Sequence, residues 1–169
     1  MAGRPTGCRA VSVRSHLWLR RCVKKTGVEN AVQIEITPSP LSLEPLLAFV
    51  QRRGYGGVVT FTGNVRDYNH GRRVLYLEYD AYRPMAEREM RAIAEEAVRR
   101  WDCCIAMAHR IGRLEVGEAS VMIAVACAHR APAFEACRYA IDTLKEAVPI
   151  WKKEAWEGGE VWIEGGQDA

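Results

Sequence analysis

The pattern of apolar and polar positions in the first half of the chain predicts strands and one helix. Apolar side chains occupy alternate positions over 31–37, which is the period of a half-buried strand. A helix is predicted over 42–53 with Ser42 as its cap, and a β-rich run over 58–65 follows. The glycine inside this run indicates a bulge or a close backbone approach. The apolar run 74–79 is predicted to be its hairpin partner.

Two further helices and four strands are predicted in the second half of the chain. Pro84 opens a helix whose apolar positions recur at steps of three and four up to Trp101. A third helix is predicted over 132–147, and its predicted buried face consists of Phe134, Cys137, Ile141, Leu144 and Val148. The predicted strands cover 104–109, 119–128, 150–156 and 161–164. Glycine-framed hairpins favour antiparallel pairing, so the predicted class is α+β with a mostly antiparallel sheet and three helices.

The stretch from Val121 to Lys153 combines a strand, a helix and several cationic side chains. His129 and Arg130 lie where the apolar strand feeds the third helix, and free N–H groups at a helix start favour an anion. Lys145 lies near the helix end, and Lys152 follows on the next strand. Nearby cations and partial burial make lysine a useful proton donor or acceptor. The alternative for His129 and Arg130 is a surface or capping pair. The alternative for Lys145 is that it only complements the negative end of the helix dipole.

A further candidate cluster lies at the end of the strand over 58–65. Arg66 follows this strand and suits a phosphate or carboxylate, although the adjacent Asp67 offers a simple ion pair. Phe61 either gives a cleft a flat apolar surface or belongs to the core. Paired carboxylates for acid–base catalysis and a nucleophilic cysteine in a polar setting are not evident. Any sulfur chemistry would therefore use sulfur from outside this chain.

Charge divides the chain near residue 28. Residues 1–28 hold seven Lys or Arg and no acid, whereas the remainder carries a net charge of −4 within an overall +3. The mildly acidic remainder argues against a nucleic-acid partner, and no apolar run approaches the roughly eighteen residues of a membrane span. We predict that residues 1–30 are a disordered basic extension and that 31–169 form one domain. The extension resembles an organellar presequence, a tail or the product of a misplaced start codon.

The six cysteines form no C-x-x-C pair, and histidine ligands at metal spacing are absent. We therefore predict reduced, buried thiols in a cytoplasmic protein rather than a zinc site. No G-x-G-x-x-G, G-x-x-x-x-G-K-[ST] or G-x-S-x-G element occurs, which removes the simplest dinucleotide, ATP and hydrolase interpretations. We expect neither a metal ion nor a cofactor.

Five stretches of the chain together carry a family resemblance over about residues 31–165. These stretches are FTGNVRDYNHG (61–71), LEYDAYRPMAE (77–87), HRIGRLEVGEASVMIAV (109–125), AHRAPAFEACRYAIDTLKEAVPIWKKE (128–154) and WIE (162–164). In them the chain resembles the large, catalytic subunit of molybdopterin synthase, and the AHR…LK…P-x-WKKE combination is the most specific part of the match.

The resemblance implies an α/β-hammerhead fold and a central homodimer within a heterotetramer. In this family each large subunit binds a small ubiquitin-like sulfur carrier, whose Gly-Gly tail ends in a thiocarboxylate and enters a pocket. Sulfur passes from that tail to cyclic pyranopterin monophosphate, and two transfers form the dithiolene of molybdopterin. The resemblance therefore implies a sulfurtransferase of molybdenum cofactor biosynthesis.

The resemblance also assigns roles to the candidate residues. The family's catalytic positions fall on Lys145 and Lys152, its substrate-binding positions on Arg66, His129 and Arg130, and a pocket-lining position on Phe61. We expect Lys145 to act on the thiocarboxylate and in proton transfer and Lys152 to hold the pterin, with reversed roles as the alternative. Residues 165–169 contain no Arg or Lys, although the family can use basic groups from the chain end. The phosphate site would then depend more on Arg66 and Arg130.

Two other functions compete with sulfur transfer. The first is a non-enzymatic anion-binding or partner-docking module, against which the retention of both lysines argues. The second is an RNA-binding protein with a basic arm, which rests only on residues 1–28.

Overall fold

The computed structural model describes residues 27–69 and 71–163. Within these residues a 3-10 turn (Val28–Ala31) precedes nine strands and three helices. They are β1 (Val32–Thr37), α1 (Leu43–Val50), β2 (Gly57–Asn64), β3 (Tyr68–Asn69), β4 (Arg72–Ala81), α2 (Arg83–Trp101), β5 (Cys104–Arg110), β6 (Gly112–Glu115), β7 (Ala119–Cys127), α3 (Arg130–Ala147), β8 (Ile150–Trp156) and β9 (Gly159–Ile163). None of the helices in these two ranges has the length and hydrophobicity that a membrane crossing requires.

Some sequence predictions concern residues outside the described part. The basic extension and its possible RNA-binding role fall almost wholly on residues 1–26, and the chain end without basic groups falls on 164–169. These predictions stay open. The four cysteines inside the described ranges, Cys103, Cys104, Cys127 and Cys137, are buried thiols, as predicted.

The first sheet has the strand order β1-β5-β7-β2. Its β1–β5 pair is parallel, while β5–β7 and β7–β2 are antiparallel. Helices α2 and α3 pack on one face over the main hydrophobic core, and α1 packs on the other face over a smaller core. Ser42 caps α1 by accepting the N–H of Glu44, as predicted, but the helix ends at Val50 rather than near residue 53.

The buried face of α3 differs from the predicted face at its first turn. Phe134 was predicted to be buried, but 63% of it is exposed. Ala133 faces the sheet instead and is fully buried, and consecutive residues of a helix are rotated by about 100°. The later predicted positions Cys137, Ile141 and Leu144 are buried as expected.

The second sheet has the order β3-β4-β8-β9, with β6 also paired to β4. The predicted hairpin between 58–65 and 74–79 is wrong, because β2 pairs with β7 and β4 belongs to this other sheet. A register shift after Gly63 ends β2, and the chain then leaves the first sheet. Val74 and Leu77 of β4 pack with Leu114 in a separate, smaller core. The two predicted strands 150–156 and 161–164 correspond to β8 and β9, which pair antiparallel, and the α+β class is confirmed.

Candidate functional site

A cavity of about 500 Å³ lies between the two sheets and the C-terminal end of α3. The first sheet contributes β2, β5 and β7, and the second contributes β4 and β8. Its charged and aromatic lining residues are Phe61, Arg66, Tyr79, His109, Asp142, Lys145, Glu146, Lys152 and Glu154. Four of the six residues predicted from the sequence therefore lie around one cavity, which has the size of a typical small-molecule site.

The two cavity lysines come from neighbouring elements. Lys145 is exposed in the last turn of α3, which ends where the N–H of Val148 donates to the Leu144 carbonyl. Lys152 lies on β8 opposite Tyr79 of β4 and is half-buried. Because side chains alternate along a strand, the adjacent Lys153 lies on the other face of β8. Lys153 contacts Glu78 at 2.7 Å and Glu160 at 3.5 Å and does not line the cavity.

Arg66 belongs to a short polar network at the cavity wall. Its Nη2 donates to Oδ1 of Asn69 at 3.3 Å, and Nδ2 of Asn69 donates to Oε2 of Glu154 at 2.8 Å. Glu154 is only 5% exposed. Its buried carboxylate fixes the Asn69 amide, and this amide positions the Arg66 guanidinium. In the described residues Arg66 bonds to Asn69 rather than to Asp67. Its remaining N–H donors are available to an anion.

Phe61 both packs on the main core and lines the cavity, so the two alternatives for it are not exclusive. The nearby Gly63 fixes this part of the wall. A Cβ at Gly63 would lie 2.7 Å from Cγ1 of Val121 and 3.4 Å from Cε1 of Phe61. Only glycine fits beside these two side chains, and the register shift between Gly63 and Asn64 confirms the predicted bulge.

Gly63→Ala is expected to lower the free energy of unfolding by about 1–3 kcal/mol. The added methyl group must displace Val121, whose β-branched side chain is buried and has few alternative rotamers. Urea denaturation measures the change. Gly27→Ala is the matched control, because no atom lies within 4 Å of its Cβ position. Equal stability of the two variants would contradict this account.

His129 and Arg130 lie at the opposite end of α3 from the cavity. At about 1.5 Å per residue, the helix axis between Arg130 and Lys145 measures roughly 22 Å. A single chain therefore does not bring this dipeptide to the cavity lysines. Gly57 lies directly beneath it, since a Cβ there would be 3.0 Å from the Arg130 nitrogen. His129 makes no side-chain cap, and both residues are exposed without a hydrogen bond or ion pair to another described residue.

His109 is a cavity residue that the sequence reasoning missed. It is the penultimate residue of β5, is 4% exposed and meets the Tyr79 ring edge-on with 5.3 Å between ring centres. Its Nδ1 lies 2.9 Å from the carbonyl oxygen of Arg110, so Nδ1 donates and carries the proton. Burial lowers the pKa of His109 to about 4. The available signal was a histidine at the end of an otherwise apolar strand.

This histidine makes stability depend on pH. Its pKa is about 4 in the folded chain and 6.5 in the reference state, so the unfolded chain binds the extra proton between these values. His109 should therefore contribute stability that is complete above pH 6.5 and is lost as the pH falls towards 4, by roughly 3 kcal/mol. Measured by urea denaturation, the free energy of unfolding should decline less from pH 7 to pH 4 in His109→Gln than in the unaltered protein. Parallel curves for both proteins would contradict the prediction.

Comparison with known proteins gives consistent matches across most of the chain. The family model described as MoaE protein matches residues 36–147. The molybdopterin synthase catalytic subunit of Bacillus subtilis is 46% identical over 132 residues, which cover 78% of this chain and 84% of that protein. The corresponding Nostoc protein is 48% identical over 131 residues, covering 76% and 79%. The crystal structure of molybdopterin synthase from Staphylococcus aureus has a TM-score of 0.74 at 43% identity, covering 76% of this chain and 95% of that one.

Proposed function

Because this chain belongs to the MoaE family of molybdopterin synthase catalytic subunits, we propose that its cavity is where sulfur transfer takes place. The chain is a sulfurtransferase of molybdenum cofactor biosynthesis. The observation that carries the assignment of the cavity is that both lysines at the family's catalytic positions line it, together with Arg66. We propose that cyclic pyranopterin monophosphate binds there and that a small carrier protein delivers the sulfur as a C-terminal thiocarboxylate.

The reaction on each carbon divides into two steps. The thiocarboxylate sulfur bonds to a side-chain carbon of the pterin while a C–O bond at that carbon breaks and its oxygen leaves with the electron pair and takes up a proton. The carrier is then joined to the substrate as a thioester. Water then adds to the thioester carbonyl, and the C–S bond breaks to give a carrier carboxylate and a pterin thiolate. Negative charge develops on the carbonyl oxygen and then on sulfur, so fixed ammonium groups stabilise both stages. Two rounds give the dithiolene.

Lys145 suits the incoming carrier tail, since it is exposed at the helix end and accessible from the cavity mouth. It would stabilise the thiocarboxylate and move a proton during hydrolysis of the thioester. Lys152 is half-buried on β8 and would hold the pterin. Exchange of these two roles is the alternative.

Charge balance supports a contribution from a second copy of the chain. Among the described residues of one chain, the cavity lining holds three cations, Arg66, Lys145 and Lys152, and three carboxylates, Asp142, Glu146 and Glu154. A phosphorylated pterin and a thiocarboxylate together need additional positive charge. We propose that His129 and Arg130 of a partner protomer supply it across a homodimer, since they are exposed and unpaired among the described residues. The complete enzyme is then a heterotetramer with two carrier proteins.

The proposed surroundings are those of a cytoplasmic enzyme without a nucleic-acid or membrane partner. The four buried thiols in the described residues support a reducing compartment, because disulfides rarely persist there. We also propose that residues 31–169 form a single domain and that residues 1–30 are a basic extension.

Reconstitution tests the function directly. The purified chain is mixed with a thiocarboxylated carrier and cyclic pyranopterin monophosphate, and the dithiolene product is measured by mass spectrometry. We expect two sulfur atoms per pterin, and none with a carrier that ends in an ordinary carboxylate. A docking module would bind the carrier without forming product, and that outcome would overturn the proposal.

A further inference from the structure

His109 brings a hydrogen-bond acceptor to the cavity wall. Its Nδ1 donates to the Arg110 carbonyl, so Nε2 carries a lone pair and no proton. The ring makes no second hydrogen bond within the described residues. No sealed side-chain nitrogen or oxygen in these residues is left without a partner, and His109 lines the cavity. The Nε2 atom therefore opens onto the cavity rather than into the core.

This acceptor carries no charge, unlike the cations and the carboxylates that also line the cavity. Arg66, Lys145 and Lys152 are donors, which suit the anionic parts of a ligand. Phosphate and thiocarboxylate have no hydrogen to give to a lone pair, so Nε2 disfavours both. A reduced pterin ring does carry N–H groups, and its flat face suits the neighbouring Tyr79 ring. Hence the heterocycle is the part of the precursor that matches this wall.

We propose that Nε2 of His109 accepts a hydrogen bond from a ring N–H of the pterin and thereby sets the orientation of the precursor in the cavity. The heterocycle lies inward against His109 and Tyr79, and the phosphate lies outward towards the exposed Arg66. This inference rests on the proposed function and adds a specificity residue to the same site. Burial supports it, because the lowered pKa of about 4 keeps the ring neutral at physiological pH.

The unaltered protein gives the first test, by NMR of 15N-labelled histidine. Free protein should show a neutral His109 with one protonated and one pyridine-type nitrogen. Addition of the precursor should shift the pyridine-type resonance upfield, as hydrogen-bond acceptance does, whereas inorganic phosphate alone should not. An unchanged His109 resonance in the presence of saturating precursor would overturn the proposal.

Two substitutions separate acceptor loss from general damage. In His109→Asn the amide can replace the Nδ1 donor but does not reach the Nε2 position, whereas in His109→Gln the amide oxygen can occupy that position. We expect the asparagine variant to raise the Kd and KM for the precursor about tenfold with a much smaller change in kcat. The glutamine variant should recover most of this loss. Equal weakening in both variants, or a change confined to kcat, would contradict the role.

Sulfur transfer and the role of His109 are separated by two measurements, turnover and precursor binding. If the unaltered protein forms no dithiolene with carrier and precursor, the proposed function fails. If it turns over normally but the asparagine variant binds the precursor equally well, only the role of His109 fails. Binding is measured by isothermal titration without the carrier, so this result does not depend on the sulfur-transfer step.

Discussion

Replacing Lys145 with alanine is expected to lower the rate of dithiolene formation by about two to four orders of magnitude. The change removes a positive charge from the cavity wall, where the proposed mechanism places the thiocarboxylate and the thioester carbonyl. Lys145 is exposed in the last turn of α3, so the fold should survive the change. The rate is measured with saturating carrier and precursor, and carrier binding is measured separately. Lys152→Ala should lower the rate of dithiolene formation by a comparable factor, because the proposed role of Lys152 is to hold the pterin.

Lys153→Ala is the matched control for both substitutions. It removes the same chemical group from the next position of β8, but on the face away from the cavity. Its ion pairs with Glu78 and Glu160 involve partly exposed carboxylates, so their loss should change the stability of the fold only slightly. Dithiolene formation should therefore proceed at the unaltered rate. Normal turnover in Lys145→Ala, or equal losses at positions 145 and 153, would refute the catalytic assignment.

Arg130→Ala is also expected to reduce turnover by at least about a hundredfold, yet mixing it with Lys145→Ala should restore activity. The reason is that each cavity would use its own Lys145 and the partner's Arg130. In a mixed dimer one cavity is then intact and the other lacks both groups. With random 1:1 exchange, about one quarter of the unaltered activity should return. The measurement is the rate before and after subunit exchange.

A second mixture provides the control for this complementation. Lys145→Ala and Lys152→Ala alter the same cavity of a single chain, so every cavity of their mixed dimer lacks one lysine. No activity should return in that mixture. Recovery in both mixtures would show that exchange itself stimulates the enzyme. Recovery in neither mixture, with mixed dimers demonstrated by mass spectrometry, would exclude the shared site.

The sequence predicted the elements better than their partners. Periodicity identified the strand over 58–65 and the buried face of most of α3, because it reports which side chains are covered. It does not report what covers them, so β4 was paired with β2 although its Val74 and Leu77 belong to another core. Phe134 was wrongly predicted to be buried, because the adjacent Ala133 can equally well occupy the buried position in the first turn of α3.

The candidate site was predicted in part, for reasons that the geometry explains. Lys145 and Lys152 are close in sequence across one turn, so their meeting in a cavity follows from local structure. Arg66 reaches them only because the two sheets meet there, which no spacing reveals. His129 and Arg130 lie roughly 22 Å from Lys145 along a straight helix, and this separation follows from helix length alone. Little in the sequence pointed to His109, because a buried polar residue is recognised only when its neighbours in the fold are known.

The boundary between the two sheets has a mechanical consequence. The main core packs mostly on the first sheet and the smaller core of Val74, Leu77 and Leu114 lies on the second, while the cavity takes its walls from both sheets. Small rotations of one sheet against the other therefore change the width of the cavity, and an occupant that touches both sides resists them. The empty enzyme should flex more than the loaded enzyme, and each departure of product should return that freedom. Catalytic turnover and the stiffness of the whole protein would then rise and fall in the same cycle.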